Sequence, residues 1–237
     1  MLSLKLTVKD AALLTCFTAL YVIFYSLPVF PIIGISGAAI RAAAVMAPVT
    51  GILLGPFLGT LSALLGGLVS FFIGRFSLLS LIATSVTALC AGLLYIGRRR
   101  ECALLYLLLL VSFGLYPIIG PFRLYPLMMW FQIVVFLMLV SPFYSIAFKR
   151  EQDHTNSKGF FPAFFLISLI STLAGQIAGS LAFEMIFWPA FIGEVETWAG
   201  IWKVVTWIYP VERVIIAVFA TIIGVPLFKA LKAANLV

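Results

Sequence analysis

Charge is what this sequence has least of. Lys, Arg, Asp and Glu make up 10% of the 237 residues, while 64% are hydrophobic. A soluble domain carries about 25% charged and about 45–50% apolar residues. So few charges do not cover a globular surface, which argues against a water-soluble enzyme; an exterior of lipid removes the difficulty. Cysteine is scarce and odd in number: Cys16, Cys90 and Cys102, with no CxxC pair. That argues against a disulfide framework or a zinc site and leaves small apolar packing residues. The one histidine, His154, sits in a polar stretch and reads as solvated. GxSxG, HExxH, GxGxxG and the P-loop pattern are all missing. No catalytic residue, metal or cofactor is therefore expected, and the chain has no P-loop of its own with which to hydrolyse ATP.

The net charge of +7 does not point to nucleic acid. The basic residues form short clusters between apolar runs, as they do when they orient helices in a membrane. The expected fold is all-α: a polytopic transmembrane helix bundle forming a single domain over residues 1–237.

A helix that crosses the hydrocarbon needs about 20 apolar residues. Eight candidate spans follow: 11–30, 36–54, 57–74, 78–97, 102–120, 127–147, 162–187 and 207–228. Breakers separate them, among them Pro28 and Pro31, Gly55-Pro56, Gly74-Arg75, the run Arg98-Arg99-Arg100-Glu101, and Pro117, Gly120 and Pro121. The second span contains Arg41 and Pro48, and a charge at the bilayer centre costs at least ~2.5–3.5 kcal/mol. Residues 32–41 are therefore also readable as a loop that dips into the membrane ahead of a short helix. The stretch 188–206, with Glu194, Glu196 and Lys203, reads as an interfacial loop or surface helix.

Eight crossings with the N-terminus inside place Lys5, Lys9, Arg98, Arg99, Arg100, Lys149, Arg150, Lys158, Lys229 and Lys232 inside. Arg41, Arg75, Arg123, Lys203 and Arg213 fall outside. Ten against five supports both termini in the cytoplasm. The first run has a rival reading as a cleaved signal peptide, but its apolar core is long and seven further spans follow.

Small residues recur every fourth position at Ala39, Ala43, Ala47, Gly51, Gly55, Gly59, Ala63 and Gly67, and again at Gly175 and Gly179. Such stripes let helix backbones approach closely in lipid. Ala11, Thr15 and Ala19 form a shorter stripe on the first helix, which is also available to a partner subunit.

Ionic and aromatic residues gather on the expected outer side. Four of the five tryptophans, Trp188, Trp198, Trp202 and Trp207, fall within twenty residues, accompanied by Glu184, Tyr209, Glu212 and Arg213. Two readings stand side by side: an aromatic belt at the headgroups, or a pocket in which flat indole faces hold a ring and charges orient it. Glu184 and Arg41 are embedded in apolar runs, where ionisable groups are usually paired or functional. Gln132 and Gln176 read as hydrogen-bonding partners between helices.

The first helix, KDAALLTCFTALYVIFYSLP, precedes APVTGILLGPFLGTLSALLGGLVSFF, and the chain closes with YPVERVIIAVFATIIGVPLFKALK. This ordering resembles the substrate-binding S components of energy-coupling factor (ECF) vitamin transporters. The matching features are the stripe Ala11, Thr15 and Ala19; the glycines Gly55, Gly59, Gly66 and Gly67; and Pro226, Leu227, Ala230 and Leu231. The resemblance implies six core helices, with an extra hairpin within 98–160. It implies capture of a ring-containing, vitamin-like small molecule from outside, in the cytoplasmic membrane of a prokaryote. It also implies docking to a transmembrane coupling subunit with two ATPase subunits.

On this reading Arg41, Glu184, Trp188, Trp198, Trp202, Trp207 and Glu212 hold the substrate, and Ala11, Thr15 and Ala19 face the coupling subunit. The alternative is a self-contained channel or secondary transporter using Arg41, Gln132, Gln176 and Glu184 as a polar path. A lipid-modifying enzyme would need Glu184 and Glu212 to converge.

Overall fold

The computed structural model describes residues 7–31, 33, 39–73, 78–142 and 157–236, with no side chains for 157–159. Lys5, Arg75, Lys149, Arg150 and His154, and the side chain of Lys158, lie outside the described residues. The fold is an all-α bundle. Among the described residues there are eight α-helices and one two-stranded ribbon. Five helices are long and apolar enough to cross a membrane, which marks a multi-pass membrane protein.

Helix α1 (Val8–Tyr25) begins at a capping box: the Thr7 hydroxyl accepts from the Asp10 amide, and the Asp10 carboxylate accepts from the Thr7 amide. Strands β1 (Pro28–Pro31) and β2 (Ala39–Arg41) pair antiparallel, with Pro28 opposite Arg41. Proline lacks an amide to donate, so it suits so short a ribbon.

Helix α2 (Ala43–Phe72) consists of two arms. At Gly55 the backbone leaves the helical region (φ 76°, ψ 177°), a conformation open mainly to glycine. The second arm folds back so far that a β-carbon on Gly59 would lie 2.9 Å from the Gly51 Cα. In a straight helix, positions eight apart are about 12 Å apart. The expected division at Gly55-Pro56 is therefore present, as a helical hairpin. Its first arm, 43–54, is only about 18 Å long, short of the roughly 30 Å hydrocarbon layer. This fits the alternative of a dipping segment followed by a short helix, and not a full span over 36–54.

Helix α3 (Leu78–Tyr95) packs against both arms. Helix α4 (Arg99–Gly114) then pairs with α6 (Trp130–Val140) through a connection containing α5 (Pro121–Leu124) and a 3₁₀ turn (Pro126–Met129). The Tyr106 hydroxyl donates to the Gln132 carbonyl at 3.0 Å. Arg99 closes the far end of the pair by donating to the carbonyls of Leu139 (2.6 Å) and Ser141 (2.8 Å) at the C-terminus of α6. This is the extra hairpin expected within 98–160. At 16 residues, however, α4 falls short of the expected span 102–120, and α6 has 11 residues, the end of the expected span 127–147 lying outside the described residues.

Helix α7 (Ser157–Phe187) is the most enclosed of the long helices, and α1 the least. Helix α8 (Val195–Ala233) runs 39 residues, about 58 Å. Of the stretch 188–206, expected as an interfacial loop or surface helix, residues 195–206 supply the first three turns of the last helix. Its charges Glu196 and Lys203 lie on the exposed face, and Trp198, Ile201, Trp202 and Val205 lie on the buried one. Pro210 cannot donate to the Thr206 carbonyl four residues back, and the indole N–H of Trp130 donates to that carbonyl instead, at 3.4 Å. Lys9 donates to the Asn235 carbonyl at 3.1 Å. The Lys9 end of α1 and the Asn235 end of α8 therefore lie together at one end of the bundle.

Candidate functional site

At the opposite end of the bundle the helices splay around a cavity. Its interior volume is about 80 Å³, within an open cleft of about 690 Å³. Four segments line it: the end of the ribbon and start of α2 (Ile33, Ile40, Arg41, Ala44), the first turns of α3 (Leu79, Ser80, Ala83, Thr84), the last third of α7 (Gln176, Gly179, Ser180, Phe183), and Tyr209 with Arg213 on α8. All four lie at the end that the Lys/Arg distribution assigns to the outside.

Small residues set the spacing of these walls. A β-carbon on Gly175 would collide with the Thr87 hydroxyl and the Ala83 carbonyl, and one on Gly179 would press on the Ala83 side chain at 3.3 Å. The GxxxG of α7 thus draws that helix onto α3. On α1, the Tyr25 hydroxyl meets the Thr84 hydroxyl at 2.7 Å, and Tyr21 meets Thr50 at 2.9 Å. These bonds fix α1 to α2 and α3 beside the cavity.

Helix α7 carries a buried polar residue at every fourth position: Ser168, Thr172, Gln176, Ser180 and Glu184. Positions four apart share one helix face. Gln176 is held at both ends of its amide, accepting from the Gln132 amide at 3.2 Å and donating to the Ser180 hydroxyl at 3.0 Å. The expected link between Gln132 and Gln176 is present. Ser180 and Tyr209 of α8 both line the cavity.

Of the residues singled out in the sequence for the substrate, the cavity wall includes Arg41 alone. Arg41 is half-buried, and its Nε has no hydrogen-bond partner among the described residues. Glu184 is fully buried one position beyond Phe183, with neither carboxyl oxygen partnered among the described residues, and it does not line the cavity. Glu212 is buried beside the wall, its Oε2 3.4 Å from Nη2 of Arg213.

The four tryptophans lie elsewhere. Trp198 and Trp202 are wholly buried, and their indole N–H groups donate to the carbonyls of Ile192 (3.0 Å) and Ile119 (2.8 Å). Trp202 stands edge-on to Phe113, and Trp198 packs on Phe183. Trp207 is 62% exposed against Trp130, and Trp188 is half-buried at the turn after α7. Glu184 and Glu212 form no carboxylate pair: the hydrogen bond and ion pair recorded for Glu212 are to Arg213. Ala11, Thr15 and Ala19 are all exposed along one side of α1. Among the described residues no group of three His, Cys, Asp or Glu side chains is placed to hold a metal ion.

Sequence reading did not single out Ser80, Thr84, Ser180 or Phe183 as lining residues. The fourfold polar repeat on α7 was the available signal for Ser180 and for the placing of Gln176. Comparison of the chain with protein-family models, curated proteins and solved structures finds no match.

Proposed function

We propose that this chain is the membrane-embedded substrate-binding subunit of an ECF-type importer. It would capture a vitamin or related small micronutrient from outside a prokaryotic cytoplasmic membrane. The observation that carries the reading is the one-ended cavity. Its walls come from the starts of α2 and α3, the last third of α7 and the middle of α8, and side chains such as Leu173, Ile170 and Ile167 fill the core further along α7. A receptor needs a site open to one side, and a channel needs a path that continues; an alternating-access carrier shares the one-sided opening, and the liposome experiment below separates it from a capture subunit. The lower rungs of the α7 ladder offer little to such a path, because Thr172 returns its hydroxyl to the Ser168 carbonyl at 2.7 Å.

A capture subunit also needs a face for its motor. Helix α1 is the least enclosed of the long helices, and its exposed side presents Ala11, Thr15 and Ala19 with little side-chain bulk. Small residues permit a partner helix to approach closely in lipid. The lack of a nucleotide motif in the chain fits a division of labour in which two ATPase subunits, joined through a transmembrane coupling subunit, supply the work.

Co-expression of the full chain with a coupling subunit and ATPase pair tests the reading. The expected result is a complex that co-purifies with this chain and imports substrate only when ATP is hydrolysed. Thr15→Leu is expected to reduce co-purification about tenfold, as lost close packing of about 1.4 kcal/mol implies, with the thermal midpoint of the free chain unchanged. Transport by the purified chain alone in liposomes would instead establish a self-contained carrier.

A further inference from the structure

Among the described residues the cavity wall carries two positive charges and no negative one. Arg41 enters from β2 and Arg213 from α8, and every other lining residue is uncharged. Glu212 compensates one of the two, with Oε2 3.4 Å from Nη2 of Arg213. That separation is long beside the 2.7–2.9 Å typical of a charge-assisted bond. It also leaves Nε of Arg213 without a partner among the described residues, although the residue is only 5% exposed. Nε of Arg41 is buried and unpartnered among them in the same way. Glu184 does not close the gap, since its carboxyl oxygens have no hydrogen-bond partner among the described residues. Two guanidinium ions against one paired carboxylate leave one positive charge uncompensated. A buried ion without a counter-charge is costly, and most of that cost is recovered when the missing partner arrives.

We infer that the ligand of this cavity is a small organic monocarboxylate, its acid group held between Arg41 and Arg213 and its apolar body against Ile40, Leu79 and Phe183. This rests on the capture reading above and names the substrate class for it. A planar guanidinium matches a carboxylate through parallel N–H bonds, and one anionic charge completes the balance. Ser180 and Tyr209 stand beside the arginines to bond one further polar group. The headgroup phosphate of an anionic lipid shares the chemistry of the acid, so the test must separate a soluble acid from a lipid.

The full chain in phosphatidylcholine nanodiscs is titrated with benzoate, phenylacetate and hexanoate and with the primary amide of each. Heat of binding and thermal midpoint are read together, and parallel discs contain phosphatidylglycerol. At least one acid is expected to bind saturably in phosphatidylcholine discs, with its amide weaker by about tenfold or more. Arg41→Gln, at the half-buried mouth, is expected to weaken the acid about tenfold and leave the amide unchanged. Arg213→Gln is expected to repeat that loss; should it fail to fold, Arg41→Gln decides alone. Amides that bind as well as acids, with no effect of Arg41→Gln, overturn the monocarboxylate and leave the capture reading standing. Stabilisation by phosphatidylglycerol with no acid bound overturns it in favour of lipid. Binding of neither series overturns it as well, and the co-purification experiment then judges the capture reading separately.

Discussion

Where α2 meets α3, the contacts are backbone against backbone. A β-carbon on Gly51 would collide with the Ala88 carbonyl, and one on Gly92 would collide with the backbone of Pro56. Where the first turns of α8 meet the α4–α6 hairpin, the contacts are ring against ring: Trp202 on Phe113 at 5.5 Å and Trp207 on Trp130 at 6.1 Å, backed by Trp198 on Trp202 within α8 and Tyr106 on Phe136 within the hairpin, both at 5.6 Å. The buried indoles of the aromatic region are satisfied, since both donate to carbonyls of nearby turns. The charged groups beside the small-residue region are not, for among the described residues Arg41 and Arg213 keep unpartnered nitrogens at the cavity it frames. Polar groups that are buried and satisfied hold a fold together; those left unsatisfied in a cavity are available to a ligand. By that criterion the tryptophans belong to the scaffold and the arginines to the site.

The largest effect is expected where two backbones touch. Gly92→Val puts a branched side chain against Pro56 N and Cα, and backbone atoms in a packed hairpin have little room to yield. A loss of about 3 kcal/mol or more follows, read as collapse of the monodisperse yield in detergent and of the thermal midpoint. A variant that folds as well as the parent would break the contrast between the two packing modes.

Trp202→Phe should cost less, and it sharpens the contrast from the other side. The substitution keeps a ring in the core but leaves the Ile119 carbonyl without its donor. An orphaned buried acceptor costs about 1–3 kcal/mol. If the tryptophans are scaffold, ligand affinity moves by less than about twofold, because Trp202 does not line the cavity and reaches its Phe183 wall only through Trp198. A large fall in affinity with little loss of stability would return Trp202 to the binding wall.

Much of this division was legible beforehand, though not all. The hairpin at Gly55-Pro56 follows from a residue free to adopt positive φ next to one that cannot continue a helix. Arg41 stood out because a charge within an apolar run needs a reason. The stretch 188–206 was harder to place, because Glu194, Glu196 and Lys203 interrupt its hydrophobicity. On a helix, Glu196 and Lys203 are seven apart and share one exposed face, while Trp198 and Trp202, four apart, share the buried one. Density of tryptophan pointed to the end of the molecule at which the cavity lies. It did not say which way the rings turn, since an indole packs equally well on a ligand or on a neighbouring helix. The pairing of Arg213 with Arg41 across one cavity depends on contacts between residues far apart in sequence, which local pattern does not contain.

The smallest effect concerns the turn that Trp202 holds. Ile118 has φ 71°, a left-handed conformation that a β-branched side chain adopts only under strain, and it is 45% exposed. The neighbouring Ile119 carbonyl accepts the Trp202 indole at 2.8 Å, so the aromatic core fixes the turn despite the strain. Glycine at 118 would remove a penalty of about 1–2 kcal/mol and give back about 0.4–1 kcal/mol through a more flexible unfolded chain. Ile118→Gly is therefore expected to stabilise by roughly 0.5 kcal/mol, seen as a small rise in thermal midpoint. In the Trp202→Phe background, where the turn has lost its anchor and can relax, the same substitution is expected to gain nothing. An equal gain in both backgrounds would mean that the tryptophan does not hold Ile118 in its strained conformation, and that the aromatic region owes less to its indole hydrogen bonds than the contrast with α2 and α3 requires.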